Sequence, residues 1–306
     1  MFDPLQRLRR REAVLRSINA HLGEEYLSRW ISAVPDTFAG LCERWAVDPT
    51  GLPGSGASSV VVFGRRETDP RDVVVKLSPD PAAYSREAII MHGLADAGAA
   101  PELLARDDAA HALLYARILP GTPGHGVAVR DAVRAAGHVW DGPVAGGMSA
   151  EEAHRPRVAW LRQKHPGSEV YEDVARAADA VLDHLTATRG SAPAYQLHGD
   201  LLAKNFVVDH AGVAWLIDPR PTVGERESDI ALWIAAQGSG VEPNIAEAAR
   251  LVPGLDADRL GEWVVFFCLA ETREAGRRLL ASMPDVAGLP VARERLAAAA
   301  AHEGRA

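Results

Sequence analysis

The stretch YQLHGDLLAKNFVVD (residues 195–209) places a His-Gly-Asp triplet and an Asn between two apolar runs. Asp, Asn and Lys are poor strand formers, yet the flanking apolar residues are not those of an ordinary solvated loop. The carboxylate of Asp200 and the amide of Asn205 come from one short loop, so both side chains can face the same side of it. The pattern indicates a functional loop rather than a simple turn.

The segment that follows predicts a β-hairpin. The runs FVV and AWLI are short and apolar, and the intervening DHAG offers a turn in which Gly212 can take a positive φ. This hairpin would bring Asp218 back beside Asn205. Asp218 alone is better explained as part of a common Asp-Pro turn, but the set of His198, Asp200, Asn205 and Asp218 in this order indicates chemistry.

The chemistry that these residue types suit is phosphoryl transfer to an alcohol. A carboxylate is needed to orient the hydroxyl group and accept its proton, and oxygen ligands are needed to hold Mg²⁺ against the phosphates. Asp200 can serve as that carboxylate. Asn205 offers a neutral oxygen ligand and Asp218 a charged one.

These residues resemble the catalytic segment of the protein-kinase-like fold in its aminoglycoside phosphotransferase branch, which carries His-Gly-Asp and Ile-Asp-Pro motifs. More narrowly, LHGDLLAKN with WLIDPRPTVGERESDIALW resembles the streptomycin 6-phosphotransferase and hydroxyurea phosphotransferase group. The resemblance implies an enzyme that uses ATP and Mg²⁺, with Asp200 as catalytic base and Asn205 and Asp218 as Mg²⁺ ligands. Asp229 would be a structural carboxylate that braces the catalytic loop.

The same resemblance requires a nucleotide-binding region earlier in the chain. GSGASSVV (54–61) matches a kinase glycine-rich loop except at Ser59, where a third glycine would stand. A lone G-S-G is also typical of any flexible loop, but its position between two predicted strands favours phosphate binding. The candidates for phosphate contacts are Gly54, Gly56, Ser58 and Ser59.

A lysine and a carboxylate in the expected order extend this region. VVVK places Lys76 at the end of an apolar strand, where a buried ammonium group needs a partner. The alternative is an edge strand from which Lys76 points to solvent. The functional interpretation is that Lys76 contacts the phosphates and pairs with Glu87. The backbone from Tyr115 to Arg117 is the candidate for binding adenine, although family members often carry an acidic residue where Arg117 stands.

Hydrophobic patterns along the 306 residues predict strands in the front part of the chain and helices behind it. The Val-rich runs 58–66 and 72–78 predict a β pair, and a further strand is expected at 111–121. Pro35 is expected to interrupt a helix that runs towards Trp45. Later helices include 226–237 and 256–282.

The predicted fold is therefore α+β, a protein-kinase-like bilobal fold with a small β-containing N-lobe and a larger, mainly helical C-lobe. Residues 1–117 would form N-terminal helices and the nucleotide-binding lobe, and residues 118–306 the helical catalytic and substrate-binding lobe. The turn-rich LPGTPGHG fits a hinge near this boundary. A single α+β domain with one internal loop is the alternative.

Composition excludes several classes of protein. A formal charge of −8 argues against a nucleic-acid-binding surface, and the longest apolar run is too short to span a bilayer. The basic N-terminus lacks the apolar core of a signal peptide, and two cysteines make no disulfide framework. We expect a cytoplasmic protein that binds neither nucleic acid nor membrane. The sequence does not predict an oligomeric state.

The predicted function is phosphorylation of a hydroxyl group on a small molecule, with an antibiotic of the streptomycin type as acceptor. Carboxylates late in the chain favour a cationic acceptor, although each is also explained as part of a solvated helix face. These carboxylates are Asp141, Glu151, Glu152, Glu225, Glu227, Glu262 and Glu271. One alternative is a metabolic kinase for a sugar or amino alcohol. Another is an inactive pseudokinase that only binds nucleotide or ligand.

Overall fold

A computed structural model describes most of the chain, and no helix in the described part is long and apolar enough to cross a membrane. The described residues are 6–53, 58–190, 193–237 and 240–271. The helices are α1 (Gln6–Ile18), α2 (Glu24–Trp45), α3 (Pro81–Asp96), α4 (Val129–Trp140), α5 (Ala150–Lys164), α6 (Glu169–Thr188), α7 (Arg226–Gln237), α8 (Val241–Leu251) and α9 (Ala257–Glu271). The strands are β1 (Val47–Gly51), β2 (Val60–Arg66), β3 (Asp72–Leu77), β4 (Leu103–Asp107), β5 (Ala112–Ala116), β6 (Pro120–Pro123), β7 (Met148–Ser149), β8 (Tyr195–Leu197), β9 (Phe206–Asp209), β10 (Ala214–Leu216) and β11 (Thr222–Gly224).

The chain forms two compact units that are not continuous in sequence. The first unit contains the residues up to Pro123 together with Phe206–Asp218, and the second contains Gly124–Asn205 together with the residues from Pro219 onward. The division predicted from the sequence, between residues 117 and 118, assigns 206–218 to the later part. The structure groups this segment with the first unit because β9 pairs with β6.

The first unit is built on a five-stranded sheet in the order β1-β2-β3-β5-β4, in which every neighbouring pair is antiparallel. The predicted β pair corresponds to β2 and β3, whose valines alternate between buried and half-buried positions. The hydrophobic pattern of the sequence did not predict β1 and β4. Both are edge strands, and their sequences, VDPTG and LLARD, lack the apolar alternation of a central strand.

Helix α2 continues through Pro35 instead of being interrupted there, so this expectation was wrong. Proline removes one helical hydrogen bond and crowds the preceding turn. However, Val34, Phe38 and Leu41 are buried in one core cluster with Val73 and other sheet valines. We attribute the continuity of the helix to the packing of this face, which outweighs the penalty of the proline.

The predicted hairpin is confirmed as β9 and β10, which pair antiparallel, and β6 completes a three-stranded sheet in the order β10-β9-β6. The turn is held by Asp209, whose side chain accepts hydrogen bonds from the N–H groups of Ala211 and Val213, both at 2.9 Å. Gly212 has a φ of 80°. The strand predicted at 111–121 is two separate strands, β5 and β6.

The second unit is mainly helical, with a small sheet in the order β7-β11-β8. Its core contains Trp263, Phe266 and Phe267 of α9, which are fully buried and whose ring centroids lie 5.1–5.9 Å apart. The helix predicted at 226–237 is confirmed as α7. The helix predicted at 256–282 corresponds to α9 up to Glu271, and its remainder lies outside the described residues.

Candidate functional site

In the first unit, the ammonium group of Lys76 lies between two carboxylates. Its Nζ donates to Oε1 and Oε2 of Glu87, both at 2.7 Å, and to Oδ1 of Asp218 at 2.6 Å. Lys76 and Glu87 are buried, whereas the side chain of Asp218 is 41% exposed. Lys76 therefore does not point to solvent, and three of the predicted site residues are in direct contact.

The charges of this set are shifted by burial and by one another. Burial lowers the pKa of Lys76, but the attraction of Asp218 and Glu87 outweighs burial and raises the pKa overall. Burial raises the pKa of Glu87, and Lys76 offsets only part of that increase. The Tyr115 hydroxyl group donates to Oε1 of Glu87 at 3.3 Å. One ammonium thus faces two carboxylates, and the set retains an excess of acidic groups.

Local structure explains how these side chains come together. Lys76 is carried by β3, a central strand that pairs on both sides, and Glu87 by α3, whose first N–H groups are capped by Asp80. Asp218 follows β10 with a φ of 57°. Asp is one of the few residue types besides glycine that enters this left-handed region readily.

The remaining candidates for nucleotide binding have other contacts. Ser58 and Ser59 form a bend before β2, and the carbonyl group of Ser58 accepts a hydrogen bond from Asn19 Nδ2 at 3.1 Å. Gly54 and Gly56 lie outside the described residues.

Arg117 belongs to a different part of the sheet from the Lys76 set. Its backbone N–H donates to the carbonyl group of Asp72 at 2.9 Å, and its guanidinium carbon lies 3.8 Å from the centroid of the Phe63 ring. The backbone N–H of Ala116 donates to the carbonyl group of Glu102, also at 2.9 Å. Two of the backbone donors considered for adenine are therefore used within the sheet.

In the second unit, the carboxylate of Asp200 accepts hydrogen bonds from three side chains. Arg157 Nη2 donates to Oδ1 at 3.0 Å, and Oδ2 accepts from Lys204 Nζ at 2.8 Å and from Asn205 Nδ2 at 2.9 Å. Burial raises the pKa of Asp200, but Lys204 and Arg157 outweigh it and hold the pKa well below its usual range. Asp200 is therefore an ionised carboxylate at neutral pH, as a proton acceptor must be.

Asp229 fixes the backbone of this loop. Its buried carboxylate accepts the N–H groups of His198 and Gly199, both at 2.8 Å, and the Trp140 indole N–H at 3.2 Å. Gly199 has a φ of 75°, and a Cβ atom there would lie 1.9 Å from the carbonyl oxygen of Arg220. No other residue fits this position without backbone movement. These contacts match the bracing role expected for Asp229.

Two cations beside Asp200 were not among the predicted site residues. Lys204 lies in the opening stretch, four positions after Asp200, and its charge could have identified it. Arg157 is 43 residues away in sequence and comes from α5. Its position in an ordinary amphipathic helix gives no sequence signal of contact with the loop. The start of α5 is nevertheless visible, because Ser149 and Glu152 form a capping box.

The predicted Mg²⁺ ligands supply suitable donors, and each lies in a different unit. The described residues contain no group of three or more His, Cys, Asp or Glu side chains that could hold a metal ion. Mg²⁺ does not need one, because it is usually bound by one or two protein oxygens, phosphates and water. Asp218 offers a partly exposed carboxylate. Asn205 directs Nδ2 to Asp200, which leaves its amide oxygen as an acceptor.

Comparison with known proteins places the chain among phosphotransferases. The model of a family described as "Phosphotransferase enzyme family" (APH) matches residues 52–223, more than half of the chain. No curated protein sequence gives a significant match.

Solved structures provide a second comparison. Choline kinase LicA from Streptococcus pneumoniae is 12% identical with a TM-score of 0.61, over 86% of this chain and 99% of that chain. A choline/ethanolamine kinase family protein from Mesorhizobium loti is 16% identical with a TM-score of 0.57, over 84% and 88%. An aminoglycoside-3'-phosphotransferase of type VIII is 18% identical with a TM-score of 0.54, over 78% and 98%. At these identities the likeness shows the fold alone, and it confirms the predicted α+β, protein-kinase-like fold class.

Proposed function

Because the chain belongs to the phosphotransferase enzyme family, we propose that it transfers the γ-phosphoryl group of ATP to a hydroxyl group of a small molecule. The observation that carries this proposal is the ion set of Lys76, Glu87 and Asp218. A lysine is rarely buried unless it is paired, and here it is held by two carboxylates at 2.6–2.7 Å. Such a set suits the phosphates of a nucleotide and their metal ion.

Asp200 supplies the complementary chemistry for the acceptor. Its ionised carboxylate accepts the hydrogen bond of the acceptor hydroxyl group and takes the proton. The hydroxyl oxygen then bonds to the γ-phosphorus, and the bond from that phosphorus to the ADP oxygen breaks. Lys76 contacts the phosphates and stabilises their charge. When bound, Mg²⁺ would offset further phosphate charge, with Asn205 and Asp218 as its oxygen ligands.

The sequence leaves two acceptor classes as hypotheses. The LHGDLLAKN and IDPRP motifs resemble those of the streptomycin 6-phosphotransferase and hydroxyurea phosphotransferase group, which favours a streptomycin-type antibiotic. The same machinery would serve a metabolic kinase for a sugar or an amino alcohol. The motifs for phosphoryl transfer are common to both classes, so only an assay of acceptors separates them.

The test is an ADP-release assay with Mg·ATP and a panel of hydroxylated compounds. The panel contains streptomycin, hydroxyurea, other aminoglycosides, simple sugars, amino alcohols and the anionic compounds D-glycerate and glycerol 3-phosphate. We expect turnover that depends on the acceptor and that is lost in Asp200→Asn. If Mg·ATP binds but no compound of any charge class is turned over, the proposed activity is wrong and a nucleotide-binding pseudokinase is favoured.

A further inference from the structure

One oxygen of the Asp200 carboxylate has a lone-pair position that can accept a hydrogen bond from the hydroxyl group of the acceptor. A carboxylate offers about four lone-pair positions, two on each oxygen. Oδ2 accepts from both Lys204 and Asn205, whereas Oδ1 accepts only from Arg157 among the described residues. The open position is therefore on Oδ1. A hydroxyl group bound there brings the rest of the acceptor next to the guanidinium group of Arg157.

Arg157 makes three hydrogen bonds through its side chain and keeps further donors for a ligand. Nε donates to His154 Nδ1 at 3.3 Å, Nη1 to Glu271 and Nη2 to Asp200. A guanidinium group has five N–H donors, so two are not used within the described part of the chain, one on each terminal nitrogen. His154 is fully buried, and burial together with Arg157 holds its pKa well below the usual range. It is a neutral acceptor that fixes the orientation of the arginine.

A second arginine, Arg220, lies beside the loop that carries Asp200, because its backbone N–H donates to the carbonyl group of His198 at 2.7 Å. Arg220 is exposed, and its guanidinium group makes no hydrogen bond or ion pair with another residue of the described ranges. Partial burial and the nearby charge of Arg157 lower its pKa, while Asp200 offsets part of this effect. Arg157, Lys204 and Arg220 thus outnumber the two carboxylates of Asp200 and Glu271.

Several carboxylates that favoured a cationic acceptor in the sequence analysis are already paired with arginines. Arg259 donates to Glu225 and to Glu262, each at 2.9 Å. Glu271 accepts from Arg157, and Glu151 lies 3.8 Å from the guanidinium group of Arg189. The charges of these acidic groups are therefore partly offset by arginines within the second unit, which weakens their attraction for an ammonium or guanidinium group.

We propose that the acceptor carries an anionic group, a carboxylate or a phosphate, next to the reacting hydroxyl group, and that Arg157 and Arg220 bind it. This inference rests on the proposed function, since it assumes that Asp200 receives the acceptor. The planar fork of an arginine matches two oxygens of a carboxylate or phosphate. A cationic acceptor would instead meet like charge at the same place.

The test compares matched small probes for binding to the whole protein saturated with Mg·AMP-PNP, so that the nucleotide phosphates are already in place. Titration calorimetry at fixed ionic strength measures the affinity of the protein for each of five compounds: glycerol, D-glycerate, glycerol 3-phosphate, ethanolamine and streptomycin. We expect D-glycerate or glycerol 3-phosphate to bind at least about 10-fold more tightly than glycerol and ethanolamine, as expected for hydrogen bonds to charged groups. Comparing D-glycerate with glycerol 3-phosphate identifies the anionic group.

Variants of individual arginines show which side chains cause the preference for anionic probes. We expect Arg220→Gln and Arg157→Gln to lose the anion preference, Arg157→Lys to retain part of it, and Arg155→Gln to keep it. Arg155 lies on the same helix but pairs with Asp183 at 2.9 Å on the surface. Because Arg220 is exposed, Arg220→Gln gives a readout even if a change at Arg157 impairs folding.

The outcomes separate this inference from the proposed function. Equal affinities, tighter binding of ethanolamine or streptomycin, or no binding of either anion would overturn the inference. Turnover of streptomycin that is lost in Asp200→Asn would also overturn it, while supporting the proposed function. Preferential binding of an anion, lost in Arg220→Gln, supports the inference, and if no acceptor is then turned over, only the proposed function fails.

Discussion

The two polar sets of this protein are opposite in charge. In the first unit, the ammonium group of Lys76 is held by Glu87 and Asp218. In the second unit, the carboxylate of Asp200 is held by Arg157 and Lys204. Each of these ions has a partner, as buried ions require. The first set has one more carboxylate than cations, whereas around Asp200 the cations Arg157, Lys204 and Arg220 outnumber the carboxylates of Asp200 and Glu271 by one. The first suits a metal cation that accompanies phosphates, and the second suits an anionic or electron-rich ligand.

The largest expected effect is on kcat, in a variant that tests whether Asp200 takes part in the reaction or only binds two cations. Asp200→Asn should lower kcat by about 10²–10⁴-fold, because the acceptor hydroxyl group loses its base, while binding of Mg·ATP is retained. ADP release with the best acceptor measures this. The control is Asp183→Asn, whose exposed carboxylate pairs with Arg155. A near-normal kcat in Asp200→Asn would limit Asp200 to the anchoring role.

The next largest effect is on stability, in a variant that tests whether Glu87 and Asp218 need the charge of Lys76 in the folded protein. Lys76→Met leaves Glu87 and Asp218 without a counter-charge, and breaking a buried ion pair in this way costs about 3 kcal/mol of unfolding free energy. Urea denaturation measures the loss. The double variant with Glu87→Met should be less destabilised than the sum of the two single variants, since the residues are in contact. Strictly additive losses would contradict a coupled set.

A pH profile tests the cations of the second set. Because the pKa of Asp200 is held low, its carboxylate stays deprotonated from neutral to weakly acidic pH. Any loss of kcat/KM from its protonation therefore begins only at lower pH. Arg157→Gln removes one cation, raises the pKa and should move this acidic limb to higher pH, whereas Arg155→Gln should leave it unchanged. An unmoved limb in Arg157→Gln would assign the low pKa to Lys204 alone.

The low pKa of Asp200 also makes the stability of the fold depend on pH, and stability, like kcat/KM, decreases at acidic pH. A carboxylate whose pKa is lower in the folded state stabilises the fold above its unfolded pKa, and this contribution is lost as the pH falls through the folded value. The stability of Arg157→Gln should therefore differ most from that of the wild type at neutral pH. The difference should shrink on acidification.

The smallest expected effect concerns the helix that carries Arg157. Ser149 and Glu152 form the capping box of α5, with both hydrogen bonds at 3.2 Å, so Ser149→Ala should lower stability by about 1 kcal/mol. Ser168 occupies the N-cap of α6 but makes no capping hydrogen bond with its side chain. Ser168→Ala is therefore the matched control. Equal losses in thermal unfolding of the two variants would show that the capping box adds nothing.

The sequence allowed much of the fold and part of the candidate site to be predicted. The Val-rich strands, the hairpin after Asn205 and α7 follow from local pattern, and family membership confirms the predicted enzyme class, a phosphotransferase with an alcohol group as acceptor. The narrower streptomycin group and the assigned roles of individual residues stay predictions. The edge strands escaped prediction because their sequences carry little apolar pattern.

Contacts made through folding were harder to predict than local motifs. Lys76 and Glu87 were paired correctly because the resemblance gives their order along the chain. Arg157 was missed because nothing near it in sequence distinguishes it from other arginines of α5, and only tertiary packing brings it to Asp200. The same packing uses Glu225, Glu262 and Glu271 as partners of arginines. Counting charges along the chain therefore does not show which carboxylates are paired in the fold.

The hairpin of β9 and β10 has a consequence for how this molecule can be divided or recombined. Its thirteen residues, 206–218, leave the second unit immediately after Asn205 and return to it immediately after Asp218. No single cut in the chain separates the two units. A chimera that exchanges the first unit with that of a relative must also exchange this internal segment, or β6 will face a foreign strand. The proposed metal ligands Asn205 and Asp218 are the last residues before the two junctions, so such an exchange keeps Asn205 and replaces Asp218 with the residue of the relative.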